Sequence, residues 1–236
     1  MNRQTFPLRL CVSAPTTSDA ITYALRLAKG LGCKQGEVAI CAPPGTPCPS
    51  GGKYVDLRPE WNSITFENAA AMPAKLAARK IKTLVLSEKF LDWLTPNDET
   101  INRYLGEFED ELDRTKVQAL GCWKWRRSYE ADFDERPVAA LTVKELLRWV
   151  QTLYYRSSLL LWSGGVPAVI LPKAEASQAS PTRIFLGFPV NAFAEKRVPQ
   201  EWIPKKFLFK YTLLPTGQRR GPVIEAGPIP FDLVWE

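Results

Sequence analysis

The amphipathic stretch at residues 141–165 constrains the fold most strongly. A helix whose apolar side chains all lie on one face must pack that face on a hydrophobic core. Thr142 and Glu145 have the spacing of a capping box, in which each side chain satisfies a free backbone N–H of the other residue. Gly164 and Gly165 end the pattern, as glycine often does after a helix. The apolar positions between them recur at intervals of three and four: Leu146, Leu147, Val150, Leu153 and Tyr154. We therefore predict a helix that packs on the core along this face.

The opposite side of the same helix carries a row of cations. Lys144, Arg148 and Arg156 follow one another at multiples of four residues. Such a row is typical of a solvated surface, since Lys and Arg are common there, and it also suits the phosphates of a nucleic acid. The sequence leaves both interpretations open at this position.

The composition favours a polyanionic partner. The chain has a net charge of +6, a pI near 9.1 and eight Trp residues, and Trp is enriched where protein surfaces bind other molecules. Hydrophobic residues make up 45% of the chain, which is enough for a packed core. Because the sequence shows neither an apolar run of membrane-spanning length nor a secretory leader, we expect a cytoplasmic protein with no membrane partner.

The chain contains no histidine. This excludes Ser-His-Asp catalysis, Cys-His catalysis and histidine-ligated zinc hydrolysis, because histidine supplies the base or the metal ligand in each. A nuclease that uses carboxylates and metal ions remains as an alternative, with these candidate ligands: Asp110, Asp113, Asp132 and Asp134. Acids in consecutive positions point around a helix, so their spacing does not direct them at one ion. We therefore predict a protein that is not an enzyme and has no cofactor.

Two further basic clusters complete the candidate nucleic-acid-binding set. The first interleaves cations with indole rings: Trp123, Lys124, Trp125, Arg126 and Arg127. Bases stack on indoles while cations meet phosphates, although a loop with buried Trp residues is the alternative. The second cluster lies at residues 195–220, where Glu195 and Glu201 oppose seven cations: Lys196, Arg197, Lys205, Lys206, Lys210, Arg219 and Arg220. Phosphate contacts from these residues would be weakened by salt and independent of sequence.

Local patterns predict an α+β fold with a helical central region, short β segments at the N-terminus and a basic, proline-rich β region at the C-terminus. Helices are predicted over residues 17–29, from residue 73, and from residue 96 to about residue 120. Strand patterns cover 6–14, 83–87, 138–141, 166–172, 183–188, 207–214, 222–224 and 231–235, and a short apolar run covers 38–41. The strands do not alternate regularly with helices, which argues against a doubly wound sheet. We divide the chain into three regions, 1–72, 73–165 and 166–236.

The five cysteines allow two interpretations. Cys33, Cys41 and Cys48 lie close together, and Cys122 could complete a zinc site with them. A structural zinc site normally has two close Cys pairs, and the second pair is missing here, which favours reduced thiols without metal. The fifth residue is Cys11, and an odd number without a secretory leader argues against a disulfide framework.

One resemblance combines several of these features. Three features resemble the small Cas8-like large subunit of type IV CRISPR effector complexes. They are the predicted helix that ends at Leu31 and Gly32, the Pro/Gly-rich loop with Cys41 and Cys48, and the basic segment EKRVPQEWIPKKF at 195–207. Members of that family often carry a four-cysteine zinc finger near the N-terminus. Here only Cys41 and Cys48 match its first pair. The resemblance extends loosely over the chain.

The resemblance implies a non-catalytic subunit of a multi-subunit ribonucleoprotein, placed at the 5′ end of the crRNA. Its partners would be the crRNA, the target DNA, the Cas7-like backbone subunits and the Cas5-like subunit. It would recognise the protospacer-adjacent motif in duplex DNA while base pairing with the guide reads the target sequence. The alternative is a protein-interaction module whose Trp residues contact a partner and which does not touch nucleic acid.

Overall fold

A computed structural model places the described residues in two β-sheets, with helices on both faces of the first sheet. The residues it describes are 8–14, 16–49, 52–90, 99–124, 139–153, 168–171, 182–189, 199, 201, 210–211 and 224–235. Within these ranges, no helix is both long enough and apolar enough to cross a membrane.

The first sheet is entirely parallel. Its strands are β1 (Arg9–Ala14), β2 (Val38–Cys41), β3 (Val55–Asp56), β4 (Thr83–Ser87) and β5 (Gln118–Lys124). They lie in the order β1-β5-β4-β2-β3, and Leu10 on β1 pairs with Leu120 on β5. Strands of a parallel sheet are covered on both faces, which explains why β2 and β4 are buried at every position.

Helices connect and cover these strands. They are α1 (Thr17–Gly30), a 3₁₀ helix (Arg58–Ser63), α2 (Phe66–Ala70), α3 (Met72–Ala78), α4 (Glu99–Thr115) and α5 (Val143–Leu153). Thr16 caps α1, because its side-chain oxygen accepts a hydrogen bond from the Asp19 backbone N–H. The cap is therefore one residue earlier than the Thr17 that opens the predicted helix.

The sheet separates two hydrophobic clusters. Along β4, Val85 enters one cluster while Leu84 and Leu86 enter the other, as the alternation of side chains in a strand requires. The first cluster includes the buried residues of α1 and α5, and we call this side the α1 face. The second includes Leu76 of α3 and Phe108 of α4, and we call this side the α4 face.

A partly buried ion pair fastens β1 to α4. The Arg9 Nη2 atom donates to Asp113 Oδ1 at 2.7 Å and to the Glu109 carbonyl oxygen at 3.0 Å. The Arg9 side chain is 7% exposed and the Asp113 side chain is 22% exposed. Asp113 therefore belongs to the packing between helix and sheet, and it does not lie on the solvated acidic face of α4.

The second sheet is mixed. Its strands are β6 (Ala140–Thr142), β7 (Ala168–Leu171), β8 (Thr182–Pro189), β9 (Lys210–Tyr211) and β10 (Ile224–Val234). The long strand β10 pairs in parallel with β6 and antiparallel with β8 and β9, while β7 pairs antiparallel with β8. Phe231 and Leu233 of β10 join the first hydrophobic cluster, so this sheet packs with the α1 face.

The predicted combination of helices and sheets is confirmed, but the expected lack of alternation is wrong for residues 9–124. There the chain passes repeatedly from strand to helix and back into one parallel sheet. The prediction missed β5 and extended the preceding helix to about residue 120. The helix ends at Thr115 because Lys116 has a left-handed φ of 60°, and β5 begins at Gln118.

The three predicted regions do not coincide with the sheets. The first sheet takes strands from both sides of residue 72, and the second takes strands from both sides of residue 165. Both sheets are thus assembled from segments that are distant in sequence.

Candidate nucleic-acid interface

The predicted capping box fixes the first turn of α5. The Glu145 backbone N–H donates to Thr142 Oγ1 at 3.2 Å, and the Thr142 backbone N–H donates to Glu145 Oε2 at 2.9 Å. This second hydrogen bond is the main reason that the pKa of the Glu145 carboxyl lies below its usual range. Leu146 and Leu147 are buried, so the opposite face of the helix is turned outward.

Lys144 and Arg148 are exposed on that outward face, one helical turn apart. The prediction of an exposed basic row on α5 is confirmed for these two residues. The third member, Arg156, lies outside the described residues. A pair of cations on one helix is a common surface feature, so the neighbouring elements decide whether it belongs to a larger site.

The end of α1 meets the beginning of α5 at a glycine. A Cβ added to Gly30 would overlap Val143 Cγ1 and would lie 3.2 Å from Val143 Cβ. The two helices approach this closely only because Gly30 has no side chain. Lys29 precedes this contact on α1 and Lys144 follows it on α5, and both are exposed. The contact therefore brings the end of α1 to the start of α5, and each helix has one exposed lysine next to the contact.

The end of β10 adds an aromatic group at this point. Val234 of β10 pairs in parallel with Thr142, the residue before α5. Trp235 therefore continues from Val234 in the direction in which α5 continues from Thr142. The Trp235 ring stacks on the Tyr23 ring of α1, with centroids 6.2 Å apart and planes at 26°. Both rings are half-buried.

Arg26 lies over both rings. Its Cζ atom is 5.5 Å from the Trp235 centroid and 5.9 Å from the Tyr23 centroid, within the range of a cation–π interaction. Burial raises the pKa of the Tyr23 hydroxyl, and the Arg26 charge partly opposes this effect. Arg26 is exposed, so its guanidinium can contact the rings and still donate to an acceptor in solution.

These residues form one surface, which we call the α1–α5 surface: Tyr23, Arg26, Lys29, Lys144, Arg148 and Trp235. The carboxylates of α1 and α5 are Asp19 and Glu145, and both accept hydrogen bonds from threonines at the helix starts. The four cations of this surface, Arg26, Lys29, Lys144 and Arg148, are all exposed. Such an arrangement can hold successive phosphates, while the aromatic rings offer flat apolar area.

The structure corrects the role predicted for Trp123. Its side chain is 7% exposed and belongs to the hydrophobic cluster on the α4 face. A buried indole cannot stack on a base, so Trp123 is a core residue. Lys124, the next residue on β5, is exposed, and its backbone N–H donates to Glu88 Oε2 at 2.7 Å. Glu88 also accepts a hydrogen bond from the Thr17 hydroxyl at 3.4 Å. Lys124 therefore lies near the start of α1, far from Lys29, which lies at the other end of that helix.

The remaining predicted contacts are mostly outside the described residues. Lys210 lies in β9, where its backbone pairs with that of Glu225. The residues outside the described ranges are Trp125, Arg126, Arg127, Lys196, Arg197, Lys205, Lys206, Arg219 and Arg220.

Four interface residues escaped the sequence analysis, namely Tyr23, Arg26, Lys29 and Trp235. The spacing of three between Tyr23, Arg26 and Lys29 on a predicted helix was a visible signal for a shared face. Trp235 gave no such signal, because only the pairing of β10 with β6 brings it to α1.

The cysteines do not form the four-residue site considered from the sequence. Cys41 enters the cluster on the α4 face, and Cys122 enters the cluster on the α1 face. Cys33 is half-buried, with Sγ 3.1 Å from Thr83 Oγ1. Burial raises the pKa of the Cys41 thiol and of the Cys48 thiol, which favours the protonated form over the thiolate that binds metals.

The carboxylates considered for a metal nuclease are also dispersed. Asp113 is engaged by Arg9, whereas Asp110 is exposed on α4. Asp132 and Asp134 lie outside the described ranges. Over the part of the chain that the structure describes, no three Cys, Asp or Glu side chains converge on a point suited to a metal ion.

No family model matches the sequence, and a comparison with curated proteins finds no match. A function for this chain has to be argued from the chemistry of its own surfaces.

Proposed function

We propose that the chain is a non-catalytic nucleic-acid-binding subunit of a multi-subunit ribonucleoprotein, and that the α1–α5 surface contacts phosphates. One observation supports this proposal above the others. Arg26, Tyr23 and Trp235 form a cation–aromatic cluster, and the contact between Gly30 and Val143 joins the two helices that also carry the exposed side chains of Lys29, Lys144 and Arg148.

The chemistry of the surface suits a backbone contact better than base recognition. Arg and Lys donate to phosphate oxygens whatever the base sequence, and each neutralised phosphate releases counterions. The half-buried Tyr23 and Trp235 rings fix Arg26, which reduces the entropy lost when the guanidinium binds. We therefore expect an affinity that depends strongly on salt and weakly on sequence.

The wider setting follows from the resemblance of the sequence alone. We propose that the ribonucleoprotein is a CRISPR effector complex, with crRNA, target DNA and the Cas7-like and Cas5-like subunits as partners. Recognition of a protospacer-adjacent motif would need contacts with base edges in addition to the α1–α5 surface. We propose a cytoplasmic location, where cysteines that form no disulfide stay reduced, as do these described residues: Cys33, Cys41, Cys48 and Cys122.

A matched pair of variants tests the phosphate contact. Lys29→Gln/Lys144→Gln removes two charges from the α1–α5 surface. Lys75→Gln/Arg79→Gln, which we call the α3 variant, removes two exposed charges on the α4 face, one within α3 and one directly after it. Fluorescence anisotropy with labelled duplex DNA, single-stranded DNA and RNA would follow binding between about 50 and 200 mM salt.

We expect the first variant to bind roughly tenfold more weakly at low salt and to reduce the salt slope by about 2, one for each lost phosphate contact. The α3 variant should behave as wild type. Equal loss in both variants, or no loss in the first while its circular dichroism stays native, would remove the assignment. Purification from the native host offers a check on the complex, because bound nucleic acid raises the ratio of absorbance at 260 nm to that at 280 nm.

A further inference from the structure

A groove of about 620 Å³ runs along the α4 face of the molecule, between α4 and the α2–α3 pair. Its floor consists of the small side chains of Ala70, Ala71 and Ala74. Its rim is charged and carries these residues: Glu67, Arg103, Glu107, Asp110, Glu111 and Arg114. Tyr104 closes one part of the wall, stacked on Phe66 with ring centroids 5.9 Å apart.

The rim has an excess of negative charge. Its two cations are already matched within α4, since Arg103 pairs with Glu107 at 3.4 Å and Arg114 pairs with Glu111 at 2.6 Å. Asp110 is exposed between them, and its side chain makes neither a hydrogen bond nor an ion pair with any described residue. Across the groove, Glu67 accepts a hydrogen bond from the Tyr104 hydroxyl at 2.9 Å. Hydrogen bonds from its own backbone N–H and from Thr65 lower the pKa of the Glu67 carboxyl, and the Tyr104 hydroxyl adds to this effect. At neutral pH the groove therefore attracts cations.

The shape of the groove suits a helix. The α4 residues of the rim extend from Arg103 to Arg114 along one side of the helix, a length of roughly 16 Å or three turns. Alanines on the floor allow a second backbone to approach closely, as at contacts between packed helices. Most residues that line the groove are charged, yet the area that they and the alanines expose to it is mainly apolar, so an occupant with both apolar and charged groups fits it.

We propose that this groove binds a basic amphipathic helix of a partner protein. The helix lays its small apolar side chains on Ala70, Ala71 and Ala74, and its Lys and Arg residues face Asp110 and Glu67. This is recognition of a helix in a groove, with charge complementarity setting the sign of the partner. The groove lies across the first sheet from the α1–α5 surface, so a partner protein and a nucleic acid can be bound together. The inference stands on the groove alone and does not depend on the proposed nucleic-acid contact.

A designed peptide of about three to four turns tests the inference in the full chain. The probe is a fluorescein-labelled amphipathic helix with Ala and Leu on one face and Lys on the other, and its counterpart carries Glu in place of Lys. Anisotropy titrations would compare wild type with Asp110→Lys, which reverses an exposed rim charge. Glu60→Lys is the matched control, because Glu60 is exposed on the 3₁₀ helix and does not line the groove.

We expect saturable binding of the Lys peptide, no binding of the Glu peptide and about tenfold weaker binding by Asp110→Lys. A second variant, Ala74→Leu, should weaken binding by filling the floor without a change of charge. Glu60→Lys should bind as wild type. Absence of saturable binding, or an equal loss in Asp110→Lys and Glu60→Lys, would overturn the inference. Nucleic-acid binding by Asp110→Lys should remain that of wild type, which separates the two surfaces.

Discussion

Replacement of Gly30 by alanine tests the helix contact on which the α1–α5 surface depends. Gly30 ends α1 without a left-handed φ, so its backbone accepts alanine. The added Cβ, however, would overlap Val143 Cγ1 and lie 3.2 Å from Val143 Cβ. Val143 is 4% exposed and β-branched, so it has little freedom to move away. The substitution must therefore separate α1 from α5 or strain them.

The magnitude follows from two opposing effects. One methyl group forced into a well-packed contact costs about 1–3 kcal/mol. Alanine gains up to about 1 kcal/mol over glycine inside a helix, and less at its last residue. We therefore expect Gly30→Ala to lower the free energy of unfolding by about 1–2 kcal/mol. Val143→Ala removes the atoms that the new Cβ meets, and alone it should cost about 2 kcal/mol through lost burial and a small cavity.

Urea unfolding followed by circular dichroism would measure wild type, both single variants and the double variant. In the double variant the new methyl occupies the space that Val143 has vacated, so we expect a compensating coupling of about 1–2 kcal/mol. Gly106→Ala is the control, because Gly106 lies within α4 with no neighbouring atom near its added Cβ. That variant should gain about 0.4–1 kcal/mol. A Gly30→Ala protein as stable as wild type, or strictly additive effects, would refute the contact.

Two further predictions concern the packing of charged groups. Asp113→Asn removes the charge that faces Arg9 and should lower the free energy of unfolding by about 2–3 kcal/mol. Asp110→Asn on the same helix is the control and should change it by less than about 0.5 kcal/mol. Equal urea midpoints for the two variants would contradict this prediction. Hydrogen bonds from Arg58 lower the pKa of the Asp56 carboxyl below its unfolded value, so the pair stabilises the fold above the unfolded pKa of about 4, and this stability is lost as pH falls through the folded pKa. Asp56→Asn should therefore lower the Tm at about pH 7 and leave it unchanged at about pH 2, and a difference that persists in acid would show another cause.

Local periodicity predicted the helices that are buried on one face and the short strands that are buried at every position. The bounds of β4 match the predicted strand, β2 coincides with the short apolar run at 38–41, and the capping box at Thr142 is confirmed. The strand β5 was missed because the helical pattern of α4 was extended past Lys116 to about residue 120. Gln118–Lys124 was therefore assigned to the end of a helix and a following loop. The parallel order of the strands depends on contacts distant in sequence, which no local pattern contains.

The candidate site was predictable only where one helix supplied it. Lys144 and Arg148 followed from the pattern of α5, whereas Arg26 and Trp235 meet through tertiary contacts between residues more than 200 positions apart. The error at Trp123 has a simple cause. Successive side chains of a strand point to opposite faces, so alternating Trp and Lys places the indole in the core while the lysine meets solvent. On a loop, the Trp and Lys side chains could both have faced solvent. Only the assignment of a strand shows that the indole is buried while the lysine is exposed.

Charge is separated across the first sheet in a way that the net charge of +6 conceals. The cations of the α1–α5 surface and the carboxylates of the α4 groove lie on opposite sides of a helix–sheet–helix sandwich, which makes them roughly 20 Å apart given helices about 10 Å wide. The Debye length at physiological ionic strength is about 8 Å, so neither surface neutralises the other. A polyanion and a basic helix can therefore be attracted to the same molecule at once. A uniformly basic protein could not do this, because its cations would repel the basic partner.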